Sequence, residues 1–254
     1  VSSIPPRRRI FFLEKGGSGM KRIGQWALLW VLALATAGYL VFWPGGTVQT
    51  AGPMDSGRPV LVLDAGHGGE DGGAVSLTGV PESQINLAIV QKLDLLLGLC
   101  GQSPVVLRQE DISLHDSEAD TLREKKVSDL KNRVAMVEGT ENGVLLSIHQ
   151  NMFTNAKYHG AQVFYAPTQG SQEFAVHTQE VLRQTVDQTN ERQAKPIPDT
   201  VYLMNHITRP AILVECGFLS NPEEEGKLRS EGYQLQLAAA LTGAWLQYEG
   251  NFTS

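Results

Sequence analysis

Residues 59–74 read Pro-Val-Leu-Val-Leu-Asp-Ala-Gly-His-Gly-Gly-Glu-Asp-Gly-Gly-Ala. The apolar run from Val60 to Leu63 is short, β-branched in part, and bounded by Pro59 and by glycines. That pattern predicts a strand over Pro59–Asp64, buried on both faces, ending in a glycine-rich loop from Ala65 to Ala74. A strand buried on both faces belongs to a sheet covered by helices, so this segment sets the class of the fold.

The chain downstream alternates in the same way. Helical apolar spacing runs through Glu82–Leu99 at Ile85, Ala88, Ile89, Leu93 and Leu96. Pro104–Leu107 reads as a short strand and Leu122–Glu138 as a helix. Gly143–His149 is an apolar strand ending in histidine, and Gly160–Tyr165 is another, closed by Pro167. Gln172–Gln188 reads as a helix, Val201–Met204 as a short strand, and Ala211–Glu215 as an apolar strand ending in glutamate. Gln234–Tyr248 is an Ala/Leu-rich closing helix. The expected fold is α/β: a single domain with a twisted, mostly parallel sheet of about six strands and helices on both faces. Sites in such sheets gather at the carboxyl ends of strands. His67, His149 and Glu215 all fall there.

Charge divides the chain in two. Residues 1–22 carry six Lys and Arg against Glu14, a net of +5, so the rest of a chain of net −6 carries −11. An acidic domain is a poor nucleic-acid binder, because phosphate contacts require clustered Lys and Arg. Between the two lies Ile23–Trp43, an uncharged and largely apolar run. At 1.5 Å per residue it spans about 31 Å, close to the hydrocarbon thickness of a bilayer. Trp26 and Trp30 lie near one end and Tyr39 and Trp43 near the other, as interfacial aromatics do. Lys21 and Arg22 place the N-terminal side in the cytoplasm. A cleaved signal peptide is the alternative, with Ala33–Ala35 or Ala35–Ala37 at the cleavage site. The continuation of the run to Trp43 favours an uncleaved anchor. The expected organisation is a basic cytoplasmic segment at 1–22, a transmembrane signal anchor at 23–43, a Gly/Pro/Ser-rich linker at 44–58 and one globular domain at 59–250. Met20 opens a conventional basic segment, and Lys15-Gly16-Gly17 matches translation of a ribosome-binding sequence. Residues 1–19 are therefore expected to lie upstream of the natural start. Cys100 and Cys216 are too few for a disulfide framework and read as unpaired, buried residues.

The residues at the strand ends suit metal-assisted hydrolysis. A catalytic zinc site uses three N or O ligands and an open position for water. No His-Glu-x-x-His helix is present, so the ligands must converge from separate elements. His67 lies among glycines that allow a sharp turn and close approach; it also reads as a histidine that simply falls in a turn. Glu82, after Pro81, is a ligand or a first-turn glutamate favoured by the helix dipole. His149 is a ligand or a satisfied core histidine. Asn86, one turn after Glu82, is a supporting residue or a polar helix residue. Glu215 emerges from an apolar strand, where an ionised carboxylate needs a cation nearby. That cation is a metal or a buried arginine such as Arg133 or Arg209.

The strings DAGHGGEDGGA (64–74), LLSIHQN (145–151), GAQVFY (160–165) and RPAILVECGFLSNPEE (209–224) occur with the Glu82/Asn86 pair and with segment 113–134. Together they resemble the zinc-dependent N-acetylmuramoyl-L-alanine amidases of the type-3 family, over roughly Val60 to Tyr248. The segment Thr189–Lys195, with Asp199–His206, is similar to the germination-specific members from spore formers. The resemblance implies hydrolysis of the bond between N-acetylmuramic acid and L-alanine in peptidoglycan, in cortex maturation with muramic-δ-lactam formation and in germination. It implies one Zn²⁺ per chain on His67, Glu82 and His149, and a catalytic role for Glu215. Asn86, Asn151 and Arg133 become candidates for supporting the ligands or binding substrate. Implied partners are peptidoglycan, the membrane through the N-terminal helix, and an accessory protein; the domain would lie outside the membrane, facing the wall or the forespore intermembrane space. A zinc peptidase acting on stem peptides and an inactive wall-binding homologue are the rival readings.

Overall fold

The computed structural model describes residues 57–250. The basic segment and anchor expected over 1–43, and nearly all of the linker, lie outside the described residues. Among the described residues no helix is long and apolar enough to cross a membrane.

Six strands form one sheet in the order β2-β1-β3-β6-β4-β5. They are β1 (Val60–Ala65), β2 (Val105–Val106), β3 (Gly143–Asn151), β4 (Gln162–Tyr165), β5 (Lys195–Pro196) and β6 (Ala211–Phe218). All neighbouring pairs are parallel except β4 with β6. The three most apolar strands, β1, β3 and β6, hold the centre, where both faces are covered. The helices are α1 (Glu82–Leu99), α2 (Leu122–Gly139), α3 (Ser171–Thr185), α4 (Tyr202–Asn205), α5 (Pro222–Leu228) and α6 (Glu231–Gly250).

Strand alternation sorts the side chains into two cores. Leu61, Leu63, Val144, Leu146, Ile212 and Val214 pack on one face with residues of α1, α3 and α6. Val62, Leu145, Ala211 and Leu213 pack on the other with Val137 of α2 and with Leu203 and Met204 of α4. Asp64, Ser147, His149 and Glu215 continue this second face toward the strand ends. In register, Asp64 lies opposite Ser147, and His149 opposite Glu215. Helix α2 starts at a capping box: Thr121 accepts from the Glu124 amide, and Glu124 accepts from the Thr121 amide. Asn221 caps α5 by accepting from the amides of Glu223 and Glu224.

Four local expectations are corrected. Residues 201–204 do not form a strand, because Tyr202–Asn205 is a helical turn. The Asn205 amide group donates to the carbonyls of Pro198 and Val201, and the His206 ring stacks on Tyr202 at 3.8 Å. These bonds decide a short apolar run whose period is ambiguous. The sixth strand is instead β5, a two-residue edge containing Pro196, which donates no amide. Helix α5 was not expected, as its apolar content is small. Cys100 and Cys216 are both free, as expected, but only Cys216 is buried. Cys100 ends α1 beside the Gly101 turn and faces solvent.

The closing helix depends on Trp245, which is fully buried and packs edge-on against Phe174 at 6.0 Å. Trp245→Ala is expected to cost about 3–5 kcal/mol by lost transfer energy and cavity formation. Urea denaturation checks this through a lowered midpoint at unchanged slope.

Candidate metal centre and catalytic cleft

His67 leaves the end of β1 with φ +62°, a left-handed conformation unusual for a non-glycine residue. Two glycines make room for it and for its neighbours. A Cβ on Gly66 would lie 2.1 Å from the His149 ring. A Cβ on Gly73, itself at φ +69°, would lie 2.7 Å from both Glu82 and His67. Side chains at either position would displace the cluster.

Glu82 opens α1 and is buried. Its Oε1 lies 3.0 Å from His149 Nδ1 and accepts from the Gln150 amide at 3.0 Å. Its Oε2 accepts from the Ala74 amide at 3.0 Å and lies 3.5 Å from His67 Nε2. Ligands on a tetrahedral zinc at 2.0–2.1 Å are about 3.3 Å apart. The candidate ligand atoms of His67, Glu82 and His149 all lie within 4.8 Å of one another, the one such group among the described residues. Two imidazoles and a carboxylate are a donor set that zinc takes, so these residues fit the ion.

Glu215 stands across the strand pair from His149. Its Oε2 is buried with no hydrogen-bond partner among the described residues. Neither arginine considered from sequence reaches it: Arg133 pairs with Asp64 and Asp129, and Arg209 with Glu138. An orphaned carboxylate oxygen beside two histidines and a glutamate suits a site that takes a cation and a polar ligand.

The two carboxyls have opposite acidity. Burial pushes Glu82 up, but the His149 hydrogen bond, the charges of both histidines and the Gln150 amide bring it down to about 2. Burial pushes Glu215 up, Glu82 adds to this, and His149 offsets only part, leaving it at about 7. One carboxyl is thus held as an anion and the other is poised to exchange a proton near neutral pH.

The remaining sequence candidates separate. Asn86 is fully buried; its amide donates to the Gly66 carbonyl at 3.1 Å and to Glu82 at 3.3 Å, and its oxygen accepts from Gln150 at 3.1 Å. It therefore orients Glu82 and has no free valence facing substrate. Arg133 is 1% exposed. Its Nε donates to Asp129, Nη1 to Asp64 and the Ala65 carbonyl, and Nη2 to the His67 carbonyl and Asp129. It secures the His67 loop. Asn151 ends β3 opposite Phe218, with its carbonyl bonded to the Leu219 amide; it is not part of the cleft lining.

Two residues were missed from sequence. Asp71 Oδ2 lies 3.1 Å from His67 Nδ1 and 3.1 Å from Lys126 Nζ. The four-residue spacing of His67 and Asp71 was the available signal, though in a loop it carries no fixed geometry. Arg108 is buried and donates to the carbonyls of Ala65, Gly66 and Ser83. Nothing in its local sequence distinguishes it from a surface arginine. The cleft itself runs between the ends of β1, β3 and β6 on one side and α2 and residues 200–204 on the other.

A family model described as N-acetylmuramoyl-L-alanine amidase matches residues 61–246. The chain is 34% identical over 190 residues to the germination-specific N-acetylmuramoyl-L-alanine amidase of Bacillus subtilis, covering 74% of this chain and 79% of that protein. It is similar to the CwlD amidase of Clostridioides difficile, solved in complex with the GerS lipoprotein. Identity there is 40% and the TM-score 0.72, over 75% of this chain and 98% of that one. A second solved N-acetylmuramoyl-L-alanine amidase, from Clostridium difficile 630, matches at 31% identity and TM-score 0.65 over 76% and 97% of the two chains.

The acidity of Glu215 predicts a stability effect in metal-free protein. A carboxyl raised from 4.5 to about 7 on folding binds its proton more tightly in the folded state, so stability falls as pH rises across that window. Glu215→Gln removes this loss. The variant is expected to melt at a higher temperature than wild type at pH 7.5, with the gap closing toward pH 4.5. Thermal unfolding in chelator checks this, and a gap independent of pH would contradict it.

Proposed function

The chain belongs to the N-acetylmuramoyl-L-alanine amidase family, and we propose that it uses a zinc ion held by His67, Glu82 and His149, with Glu215 as the proton carrier, to strip stem peptides from peptidoglycan. The family activity makes it a hydrolase of the amide bond between N-acetylmuramic acid and L-alanine. The observation that carries the mechanism is the convergence of His67, Glu82 and His149 into one donor cluster, with the carboxylate of Glu215 opposite His149 and lacking a partner among the described residues.

When bound, zinc supplies Lewis acidity that brings the pKa of water at its open position to ~7 and polarises the scissile carbonyl. Glu82 remains ionised throughout, since the Gln150 and Ala74 amides and Asn86 satisfy its oxygens. Asp71 accepts from His67 Nδ1 and leaves Nε2 free to ligate. Glu215, with an oxygen that has no partner among the described residues, takes the proton of the attacking water and passes it to the departing alanine amine. Burial gives this carboxyl a raised proton affinity, which suits it to take up the proton.

The biological setting follows from the relatives. The germination-specific protein from Bacillus subtilis supports a role in spore cortex maturation and germination, with peptide removal preceding muramic-δ-lactam formation. Substrate in the wall calls for a domain outside the cytoplasm, which the expected anchor at 23–43 would provide. The complex of the CwlD relative with a lipoprotein supports an accessory partner here as well.

Incubation with purified peptidoglycan should release free stem peptides with a new L-alanine amine and leave peptide-free glycan, as read by mass spectrometry of the products. Chelator should abolish this. Glu215→Gln should keep its zinc and lose about 10²–10⁴-fold in turnover. Cleavage within the stem peptide would instead establish a peptidase. Asp71→Asn should weaken zinc binding about 10–100-fold in competition with a chromophoric chelator, with the fold intact by circular dichroism.

A further inference from the structure

We propose that Lys126 determines substrate specificity by binding a carboxylate on the leaving stem peptide. This rests on the amidase reading and adds which part of the substrate the cleft selects.

Two cations line the cleft, Arg133 and Lys126. Arg133 has five N–H groups, and all five are committed, to Asp64, Asp129 and the carbonyls of Ala65 and His67. It has no donor left for a ligand. Lys126 differs in each respect. Its side chain is 56% exposed, and it makes one ion pair, with Asp71 at 3.1 Å. An ammonium has three donors, so two N–H groups face the cleft or solvent. Its neighbour Lys125 lies across from Glu70, with both carboxylate oxygens bonded at 2.7 and 2.8 Å.

Position supports the assignment. Lys126 bonds the carboxylate that bonds the His67 ring, so its ammonium sits two hydrogen bonds from a ligand of the proposed metal. Past Lys126 and Asp71 the cleft opens into an adjoining hollow walled by Glu70, Ser113, Leu122 and Lys125. An extended peptide advances about 3.5 Å per residue, so a residue or two beyond the scissile bond reaches this ammonium. Stem peptides are acidic, whereas the sugar on the other side of the scissile bond is neutral. Asp64 and Asp129 in the other cleft walls are paired with Arg133, so the ammonium of Lys126 is the cleft's cation with N–H donors to offer an anionic peptide. The peptide therefore leaves along α2, toward the hollow.

The test uses two N-acetylmuramoyl peptides that differ at one group, the α-carboxylate of the residue after L-alanine being free in one and a carboxamide in the other. The readout is the ratio of their kcat/KM values on zinc-loaded, full-chain enzyme, which cancels any general effect on catalysis. Wild type should favour the carboxylate by about 3- to 10-fold, as a partly exposed charge pair does, with the preference shrinking in high salt. Lys126→Met should bring the ratio to about one, and Lys126→Arg should retain it. A Lys126→Met enzyme with the wild-type ratio, or a wild-type ratio of one, overturns the proposal. Wild type that cleaves neither compound overturns the amidase reading beneath it.

Discussion

The Arg133 guanidinium is the tie on which the site depends. It joins β1, α2 and the His67 loop through five hydrogen bonds in a place with almost no solvent. One of its partners, Asp64, is a carboxylate that burial alone would neutralise. Asp64 is nevertheless held below its ordinary pKa: burial raises it, but Arg133, His149 and Ser147 together outweigh burial. Removing one member of such a pair typically costs about 3–5 kcal/mol, a large part of the roughly 5–15 kcal/mol that holds a domain folded. The arginine is therefore needed for folding, and the geometry of His67 follows from it. A left-handed histidine is unfavourable on its own and persists because its environment fixes it. Arg133 holds the carbonyl of His67, and Arg108 with Asn86 holds that of Gly66.

Once the loop is fixed, two glutamates at similar depth acquire different chemistry. Glu82 receives donors on both oxygens: the Gln150 amide of β3 and the Asn86 side chain on one, the Ala74 amide of the glycine-rich loop on the other. Glu215 sits within β6, where neighbouring amides are spent in the sheet ladder. Its remaining neighbours are a histidine and another carboxylate. The difference between a ligand and a proton carrier is therefore set by which donors reach each carboxyl.

Much of this was legible in the sequence because it depends on short-range pattern. The buried strands at 59–64, 143–149 and 211–215 announce themselves as apolar runs. The residues ending them are polar in a context that makes polarity costly. His67, His149 and Glu215 could thus be read as candidates without coordinates, each beside a structural alternative, while the ligand role of Glu82 came from the family resemblance. The turn at Tyr202–Asn205 and the two-residue strand Lys195–Pro196 could not, since four apolar residues carry no clear period and an edge strand needs no apolar side. Arg133 could be read only as a candidate; whether it met Glu215, substrate or a structural carboxylate depended on side-chain direction across 69 positions of sequence. Asp71 and Arg108 act through backbone carbonyls and a ring nitrogen, contacts that leave no periodic trace.

The acidity of the domain then needs reconciling with an anionic wall polymer. A net charge of −11 disfavours approach at long range, but at physiological ionic strength such fields fade over about 8 Å. Within that distance the local arrangement decides. The cleft walls are acidic, yet Arg133 pairs internally with Asp64 and Asp129 and leaves one negative charge among the three, and the two charges of the proposed metal would offset that and Glu82. What substrate meets at contact is a site of low net charge with one accessible ammonium at one end. The negative surface elsewhere disfavours adsorption in other poses, so the same charge that weakens attraction to the wall favours one orientation of the peptide within it.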